Sequence, residues 1–215
     1  MNKAFLFDLD GVLINDEAIW EERKQRMYPE LFGKDVHKKL GSTLGSNIDD
    51  IYARATAAGT DVSKEKFVNE FYKLAGDVYS TAPIPDGTAE LAEELVSMGY
   101  KLGVVSASPL SWITTVTKRL PFENDIELII SLMERDDLKH KPHPDGYLEA
   151  MKALGSSPET TIILEDSNPG IESAKASGSF TIGLKQNLAP AYVQEGADAY
   201  ADTMIDVIEL VKSRH

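Results

Sequence analysis

Five short runs, Ala4–Phe7, Leu102–Val105, Ile126–Ile130, Thr161–Leu164 and Phe180–Leu184, are apolar throughout or nearly so and do not alternate with polar residues. Runs of this length and character suit strands buried on both faces, as in a parallel sheet covered by helices. Segments with helical spacing separate them: Thr88–Met98, with Leu91, Leu95 and Met98 on one face, then Pro109–Leu120, Asp145–Leu154 and Gly170–Ser177. Alternation of strand and helix predicts an α/β architecture built on a parallel sheet.

The alternation stops between about Ile14 and Ala82, where only helical patterns run: Asp16–Met27, Asn47–Ala58 with Asn47 placed as an N-cap, and Ser63–Tyr79 with Phe67, Phe71, Leu74 and Val78 on one face. The sequence PIPDG, Pro83–Gly87, then restricts the backbone and turns it. The expected fold is a Rossmann-like parallel-sheet core, residues 1–14 and 83–215, with a small all-helical cap domain, residues 15–82, inserted after the first strand. A chain of 215 residues can hold one sizeable core and such an insert.

Charge and composition exclude several classes of partner. Lys and Arg total 22 against 35 Asp and Glu, a formal net charge of −13, and no basic run stands out, so nucleic acid and anionic membrane are poor partners. An anionic substrate would need a local positive site or a metal to draw it in. With no cysteine, disulfides and thiolate metal sites are excluded. The apolar run after Met1 stops at Asp8, too short for a signal segment, and no window approaches a membrane span, so the expectation is a cytoplasmic protein.

In an open parallel sheet, ligands bind beyond the carboxyl ends of the strands. Asp8, Asp10 and Gly11 follow the first run, Ser106, Ala107 and Ser108 the second, and Glu165, Asp166 and Ser167 the fourth, while Lys141 in KHKPHPD lies between the third strand and its helix. Carboxylates from separate strands meeting at one edge repel one another. A hard divalent cation removes that cost, and Mg2+ takes a few carboxylate oxygens while leaving positions for water and phosphate. Ser106 and Lys141 then serve as donors to an anionic group, the outline of a phosphoryl-transfer site.

DLDGV, the strand ending in Ser106, Lys141 before Pro142, and EDSNPG from Glu165 to Gly170 together resemble the four motifs of the haloacid dehalogenase superfamily. The resemblance implies a nucleophile at Asp8, which would form an aspartyl-phosphate, and an acid and base at Asp10. It implies Mg2+ held by Asp8, Asp166 and the backbone carbonyl of Asp10, with Glu165 as a further ligand or as a partner behind the ligands. Ser106, the Ala107 N–H and Lys141 would hold the phosphoryl oxygens. An acid at Asp10 favours the phosphatase and phosphomutase branch, since an alcohol leaving group needs a proton donor and a halide does not.

VVSASPL, KPHPD and EDSNPGIESAKASG look most like hexose-phosphate phosphatases and β-phosphoglucomutases among the capped members. The resemblance thus implies a Mg2+-dependent phosphatase for a small phosphorylated metabolite of the sugar phosphate kind. The alternatives are a phosphomutase and, from a different class, a non-hydrolytic phosphoacceptor domain. In the cap, substrate contacts are expected from Glu17, from Lys39 beside Lys38, and from Ser42 in the glycine-rich GSTLGSN, while Trp20 and Tyr28 are read as packing. Two departures stand out: LINDE, Leu13–Glu17, has Asn15 and Asp16 where relatives carry Asp and then Ser or Thr. His140 precedes Lys141 where a glycine is common, which makes Lys139 the fallback lysine.

Overall fold

A computed structural model of the protein describes residues 1–43 and 46–214, in two compact units: Met1–Asn15 with Pro83–His215, and Asp16–Ala82. The first is built on six parallel strands, β1 (Lys3–Phe7), β2 (Tyr100–Ser106), β3 (Ile126–Ser131), β4 (Thr161–Glu165), β5 (Phe180–Leu184) and β6 (Ala199–Ala201), in the order β3-β2-β1-β4-β5-β6. The five apolar runs are β1 to β5, and Ala4 to Phe7 have no exposed surface at all. Helices cover the sheet, and Tyr147, Ala150, Met151 and Leu154 pack with Leu6, Val105, Ile130 and Ile163 in one apolar cluster.

Register brings the strand ends level. Phe7 pairs with Val104 on one side and Leu164 on the other, and Ser106 with Ser131, so Asp8, Ser106 and Glu165 emerge on one edge. The helices of this unit are α5 (Thr88–Ser97), α6 (Leu110–Thr117), α7 (Asp145–Leu154), α8 (Asn168–Ala176) and α9 (Met204–Ser213). Pro109 stands at the N-cap of α6 rather than inside it, and α8 starts two residues before the expected Gly170 because the Ser167 hydroxyl accepts from the Gly170 N–H and caps it.

The second unit holds α1 (Glu17–Phe32), α2 (Lys34–Leu40), α3 (Ile48–Ala58) and α4 (Lys64–Thr81). Asn47 caps α3 by accepting from the Asp50 N–H at 2.9 Å, and Ser63 caps α4 by accepting from the Lys66 N–H at 3.2 Å. Tyr28, Phe32, Leu40, Ile51, Ala55 and Phe67 form its core. The Phe67 ring lies 5.2 Å from that of Phe32 and 5.8 Å from Tyr52, and Trp20 stacks on Phe71 at 5.3 Å.

The sequence expectation lacks β6, α2 and α9. Strand β6 has three residues, and α2 has seven between Gly33 and Gly41, both too short for a periodic signal. Helix α9 carries one in Met204, Val207, Ile208 and Val211, behind a capping box of Thr203 and Asp206.

Candidate active site

Asp8 leaves β1 with its N–H on the Leu164 carbonyl at 3.0 Å and is 7% exposed. Lys141 reaches it from the segment between β3 and α7: its Nζ donates to Asp8 Oδ1 at 2.5 Å, to Glu165 Oε1 at 2.6 Å and to the Val105 carbonyl at 3.2 Å. All three ammonium protons thus have acceptors. Lys139, the fallback, is exposed, and its backbone N–H donates to Asp145 instead. His140 therefore does not displace Lys141.

Asp8, Glu165 and Asp166 each present a carboxylate oxygen within 4.8 Å of the other two. Burial pushes the Asp8 carboxyl up to about 8, with Glu165 and Asp10 adding to the rise and Lys141 opposing it. Burial, then Glu165 and Asp8, likewise raise Asp166 well above the ordinary value. Burial alone would lower Lys141, but the two carboxylates outweigh it and raise it. Such a cluster of hard oxygen donors fits a divalent cation, whose charge would offset the burial and the repulsion that raise these acids. Gly11 lets the Asp166 carboxylate lie against the backbone after Asp10: at φ 77° a Cβ here would overlap it.

Asp10 lies over the end of β2, where its Oδ2 accepts from the Ser108 hydroxyl at 2.8 Å, with the Ser106 hydroxyl at 3.4 Å. Ser106 is fully buried and also accepts from the Ser108 N–H at 3.0 Å, while Ala107 is exposed. The six core residues singled out in the sequence fall into two linked sets at the strand ends, Asp10 with Ser106, and Asp8 with Lys141, Glu165 and Asp166.

The expected substrate contacts lie in the helical unit. Glu17 is half-buried in the first turn of α1, Lys38 and Lys39 are exposed in the last turn of α2, and Ser42 is exposed just after it. Leu44 and Gly45 of GSTLGSN fall outside the described residues.

Three polar partners escape the sequence reading, and a fourth, Ser108, is placed there at the strand end but given no role. Ser108 steadies Asp10. Tyr147 on α7 donates to Glu165 Oε1 at 2.8 Å from a fully buried position. After β5, Asn187 donates to the Gly11 carbonyl at 2.9 Å, and Gln194 donates to the Asp166 carbonyl at 2.7 Å. Tyr147 had a signal, a hydroxyl on the apolar face of a helix that must find an acceptor. For the two amides nothing in the chain marks them out.

The family model described as haloacid dehalogenase-like hydrolase matches residues 5–184. The chain belongs to that family, and its relatives place it among the phosphoric monoester hydrolases. It is 32% identical over 187 residues, 86% of each chain, to the validoxylamine A 7'-phosphate phosphatase of Streptomyces hygroscopicus subsp. limoneus. It is 32% identical over 181 residues, 80% of this chain and 79% of the other, to hexitol phosphatase B of Escherichia coli strain K12. A crystal structure of a putative beta-phosphoglucomutase from Thermotoga maritima shares the fold, with a TM-score of 0.79 at 22% identity over 98% of this chain and 99% of that one. Among the described residues, no helix is long and apolar enough to cross a membrane.

Proposed function

We propose that this protein is a Mg2+-dependent phosphatase that hydrolyses a small phosphorylated metabolite, a sugar phosphate in class, through an aspartyl-phosphate on Asp8. The observation that carries the reading is the meeting of Asp8, Glu165 and Asp166 within 4.8 Å, with Lys141 bonded to Asp8. Two relatives named for a hexitol and for validoxylamine A 7'-phosphate support the substrate class.

In this reading, a Mg2+ ion held by Asp8, Asp166 and the Asp10 backbone carbonyl would neutralise the carboxylates and polarise the phosphoryl oxygens. A carboxylate oxygen of Asp8 attacks phosphorus, and the bond to the leaving alkoxide breaks as Asp10 gives the alkoxide its proton. Asp10 then takes a proton from water as that water attacks phosphorus and the bond to Asp8 breaks, releasing phosphate and restoring both acids. Ser108 holds the Asp10 carboxyl in place for both transfers. Lys141, Ser106 and the Ala107 N–H hold the phosphoryl oxygens. For Lys141 the Val105 carbonyl, its longest partner, is the one a phosphoryl oxygen replaces.

Phosphate release from a panel of phosphorylated sugars, short-chain acids and nucleotides, with Mg2+ or with EDTA, tests this on wild type beside Asp8→Asn. The expected result is metal-dependent release, highest on sugar and sugar-alcohol phosphates and lost in the variant. Substantial release by clean Asp8→Asn, or release indifferent to EDTA, would defeat the reading. Turnover that needs an added bisphosphate would move it to a mutase.

A further inference from the structure

The segment that follows β5 sends two amide side chains back to the sheet edge. Asn187 Nδ2 donates to the Gly11 carbonyl at 2.9 Å, and Gln194 Nε2 donates to the Asp166 carbonyl at 2.7 Å. The two residues so held lie against each other, since a Cβ on Gly11 would fall on the Asp166 carboxylate. One amide therefore holds each side of that contact. Gln194 shares its Nε2 with the Leu184 carbonyl at 2.8 Å, which ties the Asp166 turn to the end of β5. Its Oε1 is buried and accepts from no described group. A buried acceptor left without a donor is destabilising. Turning the amide over would set that oxygen against two carbonyl oxygens, so the carbonyls dictate its orientation and the orphaned Oε1 follows from them.

We infer that Asn187 and Gln194 are positioning residues of the cation site, setting the turn after Asp10 and the turn at Asp166 from the β5 side. The inference rests on the metal-dependent reading above. The segment is built to deliver them. Asn168, the first residue of α8, brackets Gln194: its Nδ2 donates to the Val193 carbonyl at 2.9 Å and its Oδ1 accepts from the Glu195 N–H at 2.9 Å. The Asn168 N–H in turn donates to the Tyr192 hydroxyl at 2.8 Å. A ring of bonds thus runs from Asp166 through Asn168 to the residues on either side of Gln194, and back through its amide to Asp166. In the same segment Ala191, alone among the described non-glycine residues, has a left-handed backbone, at φ 69°. An L side chain adopts that conformation at a cost, and it persists where surrounding bonds over-determine the backbone. Both amides act through the carbonyls they hold. Fixing Gly11 and Asp166 from behind keeps the Asp166 carboxylate within the 4.8 Å that separates it from its neighbours in the cluster.

Equilibrium binding of Mn2+ alone, read by electron paramagnetic resonance of the free ion, tests this without turnover. Gln194→Met keeps the length of the side chain and removes both donated bonds. Gln186 lies in the same segment and also holds two backbone groups, donating to the Asp86 carbonyl at 3.1 Å and accepting from the Met204 N–H at 2.8 Å. Neither group belongs to the turns that carry Asp10 and Asp166, so Gln186→Met controls for loosening of the segment as such. Gln194→Met is expected to raise the Mn2+ dissociation constant at least about tenfold, the lower end of what loss of an outer partner costs, and Gln186→Met to leave it within about twofold. A constant within about twofold of wild type for folded Gln194→Met, or an equal rise in Gln186→Met, would overturn the inference. Should Gln194→Met fail to fold, half-buried Asn187 decides: Asn187→Ala should raise the constant at least about threefold, and an unchanged constant would overturn the inference. Failure of wild type itself to bind Mn2+ would instead bring down the metal reading and this inference together.

Discussion

The edge of the sheet and the helical unit bury different chemistry. At the edge, Asp8, Lys141 and Glu165 are nearly or wholly removed from water and held by one another. In the helical unit the buried aromatic groups are Tyr28, Phe32, Phe67 and Tyr79, and the ion pairs Arg23–Asp77 and Lys64–Asp49 are exposed. Burying a charge costs free energy even when it is paired, and apolar groups of the same volume would often hold a fold as well or better. A chain that keeps three such groups at a strand end is therefore organised there for chemistry, whereas the aromatic core of the insert is organised for packing.

The contrast breaks most easily at Lys141. Lys141→Ala should lower kcat/KM at least about a thousandfold, more than 4 kcal/mol of transition-state stabilisation, while Lys139→Ala stays within about threefold. The reverse ranking in steady-state kinetics would move the phosphate-binding role to Lys139. On the packing side, Phe67→Ala should cost about 3–4 kcal/mol in denaturant unfolding, as a large core truncation does. Mn2+ binding by the folded fraction should not change.

Gly170→Ala sharpens the comparison because it mixes the two kinds of effect. The added methyl overlaps the Glu165 carboxylate, so stability should fall by about 2–3 kcal/mol and metal binding should weaken with it. A variant as stable as wild type would show that α8 can shift away at no cost.

Asp198, beside β5, supplies the smallest effect. Its Oδ2 accepts from the Thr181 N–H at 2.8 Å and its Oδ1 from Lys175. Burial works against the charge, but these bonds win and hold the carboxyl below its ordinary 3.8. A lowered folded value means stability present above pH 3.8 and lost as the pH falls through that lower value. Asp198→Asn should therefore cost about 1 kcal/mol at pH 7, discounted for partial exposure. The gap to wild type should hold down to about pH 5 and close below about pH 4, as a series of thermal melts would read.

What the sequence makes legible follows the same division. Continuous apolar runs mark β1 to β5 because both faces of those strands are buried, and residues just after them fall on the ligand-binding edge by topology alone. Asp8, Asp10, Ser106, Glu165 and Asp166 were therefore readable as a group, with Lys141 added by its motif. Their partners were not. That Tyr147 meets Glu165, or that Ser108 rather than Ser106 makes the short bond to Asp10, depends on register and rotamer, which no local pattern encodes. Likewise the period of Phe67, Phe71, Leu74 and Val78 announces α4, but nothing in Glu17, Lys39 or Ser42 distinguishes a substrate contact from a solvated residue.

The most direct test of the account is to trap the phosphoryl group on the chain. Wild-type enzyme mixed with p-nitrophenyl phosphate and Mg2+ would be quenched in acid within a turnover, reduced with borohydride and digested for peptide mass spectrometry. A reduced side chain at Asp8 and nowhere else is the predicted result. Reduction at Asp10 or Asp166, or none while p-nitrophenol is being released, would contradict it.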